Sequence, residues 1–572
     1  MEKMRRPDYM RIYSPVYIVI MAFLSAFIVY LLHYVFSGRG RLLSVFFPSS
    51  HSLYRKDEFG VRYFTEHVKT QGNLFAVGGI VLCLLLLFYL RNKQSAFKSV
   101  FGLPKLKGLQ VSWQPFALLV VAAVFWYMGQ VRLGPSGDEI FSAVYCAAGS
   151  PHTAWAYYML PNNHVFFNLL NSIFCKLFFF CDGVYTGRGI SFVAYLGMLC
   201  CAYTFICRLV GNRLIAVLSC LPLAVQSSTY MFALQARGYE LQLLFAWVSM
   251  VSLFSYLLHS DRSGLRWFVV ASVLGFACVP TYLYFFAGQL LLCASVQVYE
   301  RRVDRVMLGH FVLIAVGVYL FYLPALCFSG VDALIHNEFV QPASGNYADF
   351  VQGFYLSVKI YVNVIFSFLI APDHIINLIL YLLPLLLLFA RQRKSRLVGV
   401  FYVFLWLCLG ILCFKMQKLP FIRNLIPDYS VSLLFVVYTL YLLMLKAFGW
   451  YKNIKIRQLA AGVCWAIPVV CFVCYQYNWV GRQENYAEEQ GINRNIESEL
   501  IRLGNYSSIA VSPRGFCYYY FARKHYAVAH INATGREDIY INCDNEPLPE
   551  MIKSNYTLLE KAPDGYEVWK RK

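Results

Sequence analysis

Charge is scarce in this chain. Only 14% of its residues are Asp, Glu, Lys or Arg, and acidic residues are the rarer kind, 30 against 50 basic ones. Soluble domains carry about a quarter charged residues, so a surface bathed in water on all sides is excluded. Internal repeats and low-complexity tracts are also missing, which excludes a solenoid and long disordered segments. No cleavable leader is apparent. The first apolar stretch is too long and no small-residue cleavage site follows it, so it reads as a retained anchor. The eighteen cysteines sit mostly inside apolar runs, where Cys behaves as a small apolar residue. Cys517 and Cys543 lie outside those runs and could form a disulfide in an oxidising compartment.

What the chain has in quantity is apolar length. Of 572 residues, 59% are hydrophobic. Runs of about 20 apolar residues recur, each long enough to cross about 30 Å of hydrocarbon. Thirteen spans are expected, at Tyr17–Phe36, Leu74–Leu90, Phe116–Val131, Ile190–Leu209, Leu214–Phe232, Leu241–Leu258, Phe268–Pro280, Tyr282–Val298, Met307–Phe328, Ile375–Ala390, Val398–Phe414, Tyr429–Leu445 and Leu459–Trp479. Phe268–Pro280 is short for a crossing. The fold class is therefore an all-α polytopic membrane protein of about 13 transmembrane helices plus interfacial helices.

The net charge of +20 raises the thought of nucleic acid, but its distribution argues against that partner. Lys and Arg collect in short connections: Lys3 to Arg11, Lys93 to Lys107, Arg208 with Arg213, Arg262 with Arg266, Arg301 to Arg305, Arg391 to Arg396, and Lys446 to Arg457. This is the positive-inside pattern. With all seven in the cytoplasm the spans alternate without conflict, the amino terminus inside and the carboxyl terminus outside. The loop Gly38–Gly72, with six basic residues, is then a mild violation on the outer side. The same parity makes Val165–Phe180 and Phe354–Ile370 helices on the membrane surface, which suits Asn168, Asn171, Lys176, Lys359 and Asn363 among their apolar residues.

Four regions follow: N-terminal spans over 1–131, an extracytoplasmic loop over 132–186, a helical core over 187–480 and a small extracytoplasmic α/β domain over 481–572. In that last region charge rises. Asn485–Leu503 has the spacing of an amphipathic helix, and Ser507–Ser512, Asp538–Cys543, Tyr556–Glu560 and Glu567–Lys570 read as strands.

The parity puts Asp138-Glu139 on the outer face, directly after an apolar helix. Carboxylates at membrane depth are costly and by default functional. An enzyme working there draws its activated group from a lipid carrier, a polyprenyl phosphate. Its site needs a carboxylate to take a hydroxyl proton, cations for the departing phosphate and a groove for the isoprenoid. Asp138 is the candidate base, with Glu139 beside it as an orienting acid; capping of a helix Glu139–Ala148 by Asp138 is the structural alternative. Arg237, in Gln235-Ala236-Arg237-Gly238-Tyr239, is the candidate phosphate ligand, with Tyr239 alongside, and Arg423 a second one; either also fits an interfacial anchor. Lys415 and Lys418 have the same status. Asn162, Asn163 and His164 are placed to hydrogen-bond a substrate or the start of the interfacial helix, and Arg188 to pair with Glu139 or meet substrate. No cofactor is expected. His152 and His164 could share a divalent metal, but their spacing matches no ligand motif.

Four segments in order carry a resemblance: the acidic pair after an early span, Pro161-Asn162-Asn163-His164 opening an apolar helix, Arg188-Gly189-Ile190-Ser191, and the Gln-Ala-Arg-Gly-Tyr stretch. Together they resemble the C-type (GT-C) superfamily of polytopic membrane glycosyltransferases, in the bacterial branch grouped with protein O-mannosyltransferases and the lipid A aminoarabinose transferase. The resemblance covers about 134–258, and the remaining spans by topology alone. It implies a helical membrane core with juxtamembrane helices in the first large outer loop, a polyprenyl-phosphate sugar donor and inversion at the anomeric carbon. Asp138 would be the base and Arg237 a donor-phosphate contact. The acceptor would be a hydroxyl of a lipid, glycan or protein at the outer leaflet of a bacterial inner membrane. Two spans precede the one before the acidic pair, and Asn-Asn-His stands where many relatives have Lys-Pro-Pro or His-Pro-Pro. Other classes are a transporter or flippase, though paired halves and broken mid-membrane helices are not evident, and a polymerase or ligase using a lipid-pyrophosphate glycan.

Overall fold

The structure is a computed structural model. It describes residues 15–46, 63–91, 113–158, 163–178, 182–335, 347–366, 374–417, 419–449, scattered positions between 453 and 470, 484–504, 506–561 and 566–572. Nine helices among these are long and apolar enough to cross a membrane: Tyr17–Phe36, Glu66–Arg91, Trp113–Arg132, Gly183–Val210, Tyr239–His259, Pro280–Tyr299, Arg305–Phe328, Arg393–Met416 and Ile422–Ala447. The chain is an integral multi-pass membrane protein. Three shorter apolar helices accompany them, at Val165–Leu177, Arg213–Val225 and Ile375–Phe389.

Three of the thirteen expected spans take a different form. One of them, Ile375–Ala390, is a nine-residue α-helix, His374–Leu382, continued as a 3-10 helix, Leu383–Phe389. Leu214–Phe232 is not one helix but two, Arg213–Val225 and Ser227–Ala233. Pro222 lies inside the first, where it removes a backbone donor and crowds the preceding turn. The short span Phe268–Pro280 starts earlier, as Arg262–Cys278, and stops before Pro280 because Val279 is extended (φ −146°, ψ 123°), the conformation a following proline favours. The expected span Leu459–Trp479 falls largely outside the described residues. Val165–Leu177, 13 residues long, spans about 20 Å at 1.5 Å per residue, too short to cross. Where Phe354–Ile370 was expected, a helix runs over Tyr347–Phe366, starting seven residues earlier, and 367–370 lie outside the described residues.

The two ends of the bundle are tied by different chemistry. At one end Lys394 Nζ donates to the carbonyls of Arg208 and Leu209, Arg393 pairs with Glu300, and Tyr256 donates to Asp304. This is the end where the basic connections gather. At the other end lie the start of Gly183–Val210, the loop before Tyr239–His259, and the short turn Ile422–Leu425. Between the ends, Tyr195, Phe205, Trp247, Tyr282, Phe401 and Phe435 pack in one buried cluster.

The C-terminal region is a separate layer. Helix Glu484–Arg502 and helix Phe516–His525 cover a five-stranded sheet of β1 (Ser508–Val511), β2 (Val528–Ile531), β3 (Ile539–Asn542), β4 (Tyr556–Lys561) and β5 (Glu567–Arg571). The order is β2-β1-β3-β5-β4, with β1 parallel to β2 and β3, and β5 antiparallel to β3 and β4. Four strands fall where the sequence pattern puts them. β2 and the helix Phe516–His525 have no counterpart in that reading. No disulfide links Cys517 and Cys543.

This domain docks on the loop that carries the acidic pair. Phe516 meets Phe141 and Tyr145 edge-on at 5.5 and 6.0 Å. Asn493 Nδ2 donates to the Pro135 carbonyl at 2.6 Å, and Tyr145 donates to the carbonyl of Pro513. One apolar cluster runs without a break from the first two spans through Ile140 and Val144 to Ile509, Ile541 and Val568.

Candidate active site

The site begins at a helix start. Ser136 caps Gly137–Phe141: its hydroxyl accepts from the Glu139 N–H, while Glu139 Oε2 accepts from the Ser136 N–H at 2.8 Å. The cap is therefore Ser136, not Asp138, and this reciprocal pairing does not use the Asp138 side chain. Beyond Phe141 the helix widens into a π-helical stretch, Ser142–Ala147.

Glu139 faces inward and is fully buried. Arg188 reaches it with two parallel hydrogen bonds, Nε to Oε1 at 2.8 Å and Nη2 to Oε2 at 2.9 Å. Glu139 Oε1 also accepts from the Ala236 N–H at 2.7 Å. The remaining Arg188 donors go to the Gln130 side chain and the carbonyls of Leu133 and Gly134. Glu139 and Arg188 thus form a saturated clamp joining three segments: the end of the third span, the start of the fourth and the loop before the fifth. This closed geometry leaves neither group turned toward a substrate.

Asp138 faces outward and is half exposed. Its Oδ2 lies 3.1 Å from Arg237 Nη1 and 3.7 Å from Arg423 Nη1. The two guanidiniums come from loops almost two hundred residues apart and meet at one carboxylate oxygen. Arg237 is 2% exposed and Arg423 42%, so one is built into the wall and the other stands at the rim. Arg237 lies 5.6 Å from the centre of the Tyr239 ring, and Arg423 lies 5.0 Å from the Phe421 ring. Arg423 Nε has no hydrogen-bond partner among the described residues.

His164 lies behind Arg237. Its Nε2 is 3.4 Å from Arg237 Nη2, and its ring meets Tyr239 edge-on at 4.5 Å. Burial, with Arg237 and Arg423 nearby, pushes the imidazole well below its usual range, so the ring is neutral and accepts from the guanidinium. Gly238 permits this contact, since a Cβ there would stand 2.7 Å from both His164 Cβ and Nδ1.

The other expected residues lie elsewhere. Asn163 is buried: its Nδ2 donates to the carbonyls of Ala154 and Tyr157, and its Oδ1 accepts from Asn168 at 2.9 Å. Those bonds fix the entry to the helix Val165–Leu177. Asn162 and Lys418 lie outside the described residues, and Lys415 is in the last turn of Arg393–Met416. His152 is not beside His164; it bonds Tyr30 Oη at 2.9 Å and packs edge-on against Phe328. Among the described residues no group of three or more His, Cys, Asp or Glu is placed to hold a metal.

Three participants escape the sequence reading. Ser136 was detectable from the Ser-x-x-Glu capping box. Glu240 and Asp428 open the apolar helices that follow Arg237 and Arg423. Both are buried, and their carboxylate oxygens have no hydrogen-bond partner among the described residues. An acid at the start of an apolar run was the available signal.

No family model and no curated protein matches the chain. Among solved structures, it is similar to ArnT from Cupriavidus metallidurans in the apo state, with a TM-score of 0.49 and 11% identity over 79% of this chain and 97% of that one. It is also similar to ArnT from the same organism bound to undecaprenyl phosphate, with a TM-score of 0.48 and 12% identity over the same shares.

Proposed function

We propose that this chain is a membrane glycosyltransferase of the C type. It moves one sugar, a hexose or a pentose, from a polyprenyl phosphate to a hydroxyl of a lipid, glycan or protein, with inversion. The reaction takes place on the extracytoplasmic face of a bacterial inner membrane, with the amino terminus in the cytoplasm and the C-terminal domain outside. The observation that carries this reading is the single carboxylate, Asp138, held between Arg237 and Arg423 at the end of the bundle away from the basic connections.

The chemistry follows from that arrangement. Asp138 accepts the proton of the acceptor hydroxyl. The oxygen attacks the anomeric carbon from the face opposite the phosphate, and the bond from that carbon to the phosphate oxygen breaks. The leaving phosphate gains negative charge as the bond breaks. Arg237 and Arg423 stabilise it, and the guanidinium fork suits two phosphate oxygens at once. Without donor, the Asp138 carboxylate occupies the place between the two cations. A phosphate arriving there competes for the same donors and frees the base as it binds. His164 is neutral and keeps Arg237 aimed without adding a third positive charge.

Purified protein supplied with radiolabelled polyprenyl-phosphate sugars tests the reading. Transfer is expected with at least one donor of a panel, and none with Asp138→Asn. Near-native turnover by that variant, or inertness toward every lipid-phosphate sugar, would overturn it.

A further inference from the structure

A cavity of about 250 Å³ lies where the C-terminal domain meets the membrane body. Its lining includes none of Asp138, Arg237 and Arg423. The floor is the π-helical stretch and its end: Ala143, Val144, Ala147 and Ala148. Lys176 enters from the interfacial helix and Arg523 from the docked helix Phe516–His525. Asp182 and Tyr520 complete the wall.

The charge here is unbalanced in one direction. Asp182, the acid in the lining, is engaged: Oδ1 accepts from the N–H groups of Val184 and Tyr185, and Oδ2 accepts from Tyr520 at 2.9 Å. Burial and the Asp182 charge push the Tyr520 phenol up, so it stays a donor. Lys176 and Arg523 are exposed at the rim and have no ion pair among the described residues. Two cations from separate elements therefore border one small space with no free anion of their own.

The surroundings specify the rest of the ligand. Leu177 and Phe178 follow Lys176 and are exposed, as is Tyr185 on the outer turn of the fourth span. Exposed apolar side chains thus stand within two positions in sequence of two of the lining residues, Lys176 and Gly183. The volume is below the roughly 300–1,000 Å³ of sites for drug-sized molecules, which suits a headgroup rather than an oligosaccharide. A π-helical floor is itself a rare device that recurs at functional sites.

We infer that this cavity seats the phosphate-bearing headgroup of a membrane lipid, held by Lys176 and Arg523, with its acyl chains along Leu177, Phe178 and Tyr185. The bound phosphate bridges the interfacial helix to the C-terminal domain. It braces the helical stretch that continues directly from the one bearing Asp138. The site needs only a membrane-embedded chain and does not depend on sugar transfer.

The test uses the full-length protein in phosphatidylcholine nanodiscs containing a minor fraction of phosphatidylglycerol, with lipids retained after release counted by native mass spectrometry. The wild type should retain phosphatidylglycerol above its bulk share. Lys176→Ala with Arg523→Ala should weaken retention by at least roughly tenfold, the loss of a charge-assisted hydrogen bond. Ala147→Phe keeps both cations but fills the floor, and should displace the lipid as well. Retention unchanged in either variant would overturn the proposal, because the lipid would then be held elsewhere. Displacement of the lipid by inorganic phosphate at millimolar concentration would also overturn it, in favour of a soluble anion.

Discussion

Asp138 and Glu139 follow one another on the same short helix and each meets an arginine, yet the two pairs are built for different ends. Glu139 is enclosed and all its partners are fixed: Arg188, the Ala236 N–H and the Ser136 N–H. Asp138 opens to solvent and shares one oxygen between Arg237 and Arg423 at 3.1 and 3.7 Å. A buried bidentate pair costs about 3–5 kcal/mol to break by removing one partner, whereas a pair whose carboxylate is open to solvent is screened and worth less. The closed pair therefore holds segments together, and the open one can exchange its anion. Burial, not residue type, separates the acid able to take a proton from the acid that positions it.

The largest effect that would sharpen this contrast is on turnover. Asp138→Asn removes the base from the open cluster and should lower transfer by roughly 10²–10⁴-fold, with little change in thermal unfolding. Glu139→Ala should do the reverse. It strands the Arg188 guanidinium in a buried place and should cost about 3–5 kcal/mol, read as a lower unfolding midpoint in detergent. Replacing both partners, Glu139→Leu with Arg188→Met, should restore much of the loss, because no uncompensated charge remains. If Asp138→Asn melts the fold while Glu139→Ala leaves it intact, the two roles are assigned the wrong way round.

The contrast also marks how far sequence alone reaches. The class of protein was readable from composition and apolar length, since hydrocarbon thickness sets helix length whatever the tertiary context. Asp138, Arg237 and Arg423 could each be singled out, but their meeting could not. Arg237 and Arg423 are brought together by the packing of Tyr239–His259 against Ile422–Ala447, which ties Trp247 Nε1 to Ser430 at 2.8 Å, and no local pattern encodes that. Pro222 was visible inside Leu214–Phe232, yet a proline can kink a span without dividing it. β2 was missed because Val528–Ile531 is an edge strand that pairs only with β1 and buries only Ile531, so it lacks the apolar run of the equally short but buried β1 and β3.

Within the open cluster the two arginines should differ. Arg237→Lys replaces a buried fork with a point charge and should weaken binding of polyprenyl phosphate by roughly tenfold. Arg423→Lys, at the exposed rim, should weaken it only a few-fold, and less at high salt. Asp138→Asn should shift the same binding in the opposite direction, because it removes the anion that competes for both guanidiniums. Weaker lipid-phosphate binding by Asp138→Asn would show that the carboxylate supports the phosphate instead of giving way to it.

The smallest expected effect concerns the imidazoles, one behind the open cluster and one against the first span. Burial pushes His152 down to about 4, and His164 is also held low. An unfolded chain takes up a proton on each near pH 6.5, while the folded rings refuse it until the pH is lower. The unfolded state therefore binds more protons below pH 6.5, and stability should fall as pH drops from about 6.5 toward 4, with no contribution from these groups above pH 7. His152→Phe keeps an aromatic ring beside Tyr30 and Phe328 but cannot titrate, at the cost of the Tyr30 hydrogen bond. Its unfolding midpoint should be lower at pH 7 but decline less steeply toward pH 4.5 than that of the wild type. Parallel declines in the two proteins would mean that the acid sensitivity arises elsewhere. His164→Phe separates the roles further. It should flatten the same profile and, by loosening Arg237, weaken lipid-phosphate binding, which His152→Phe should leave unchanged.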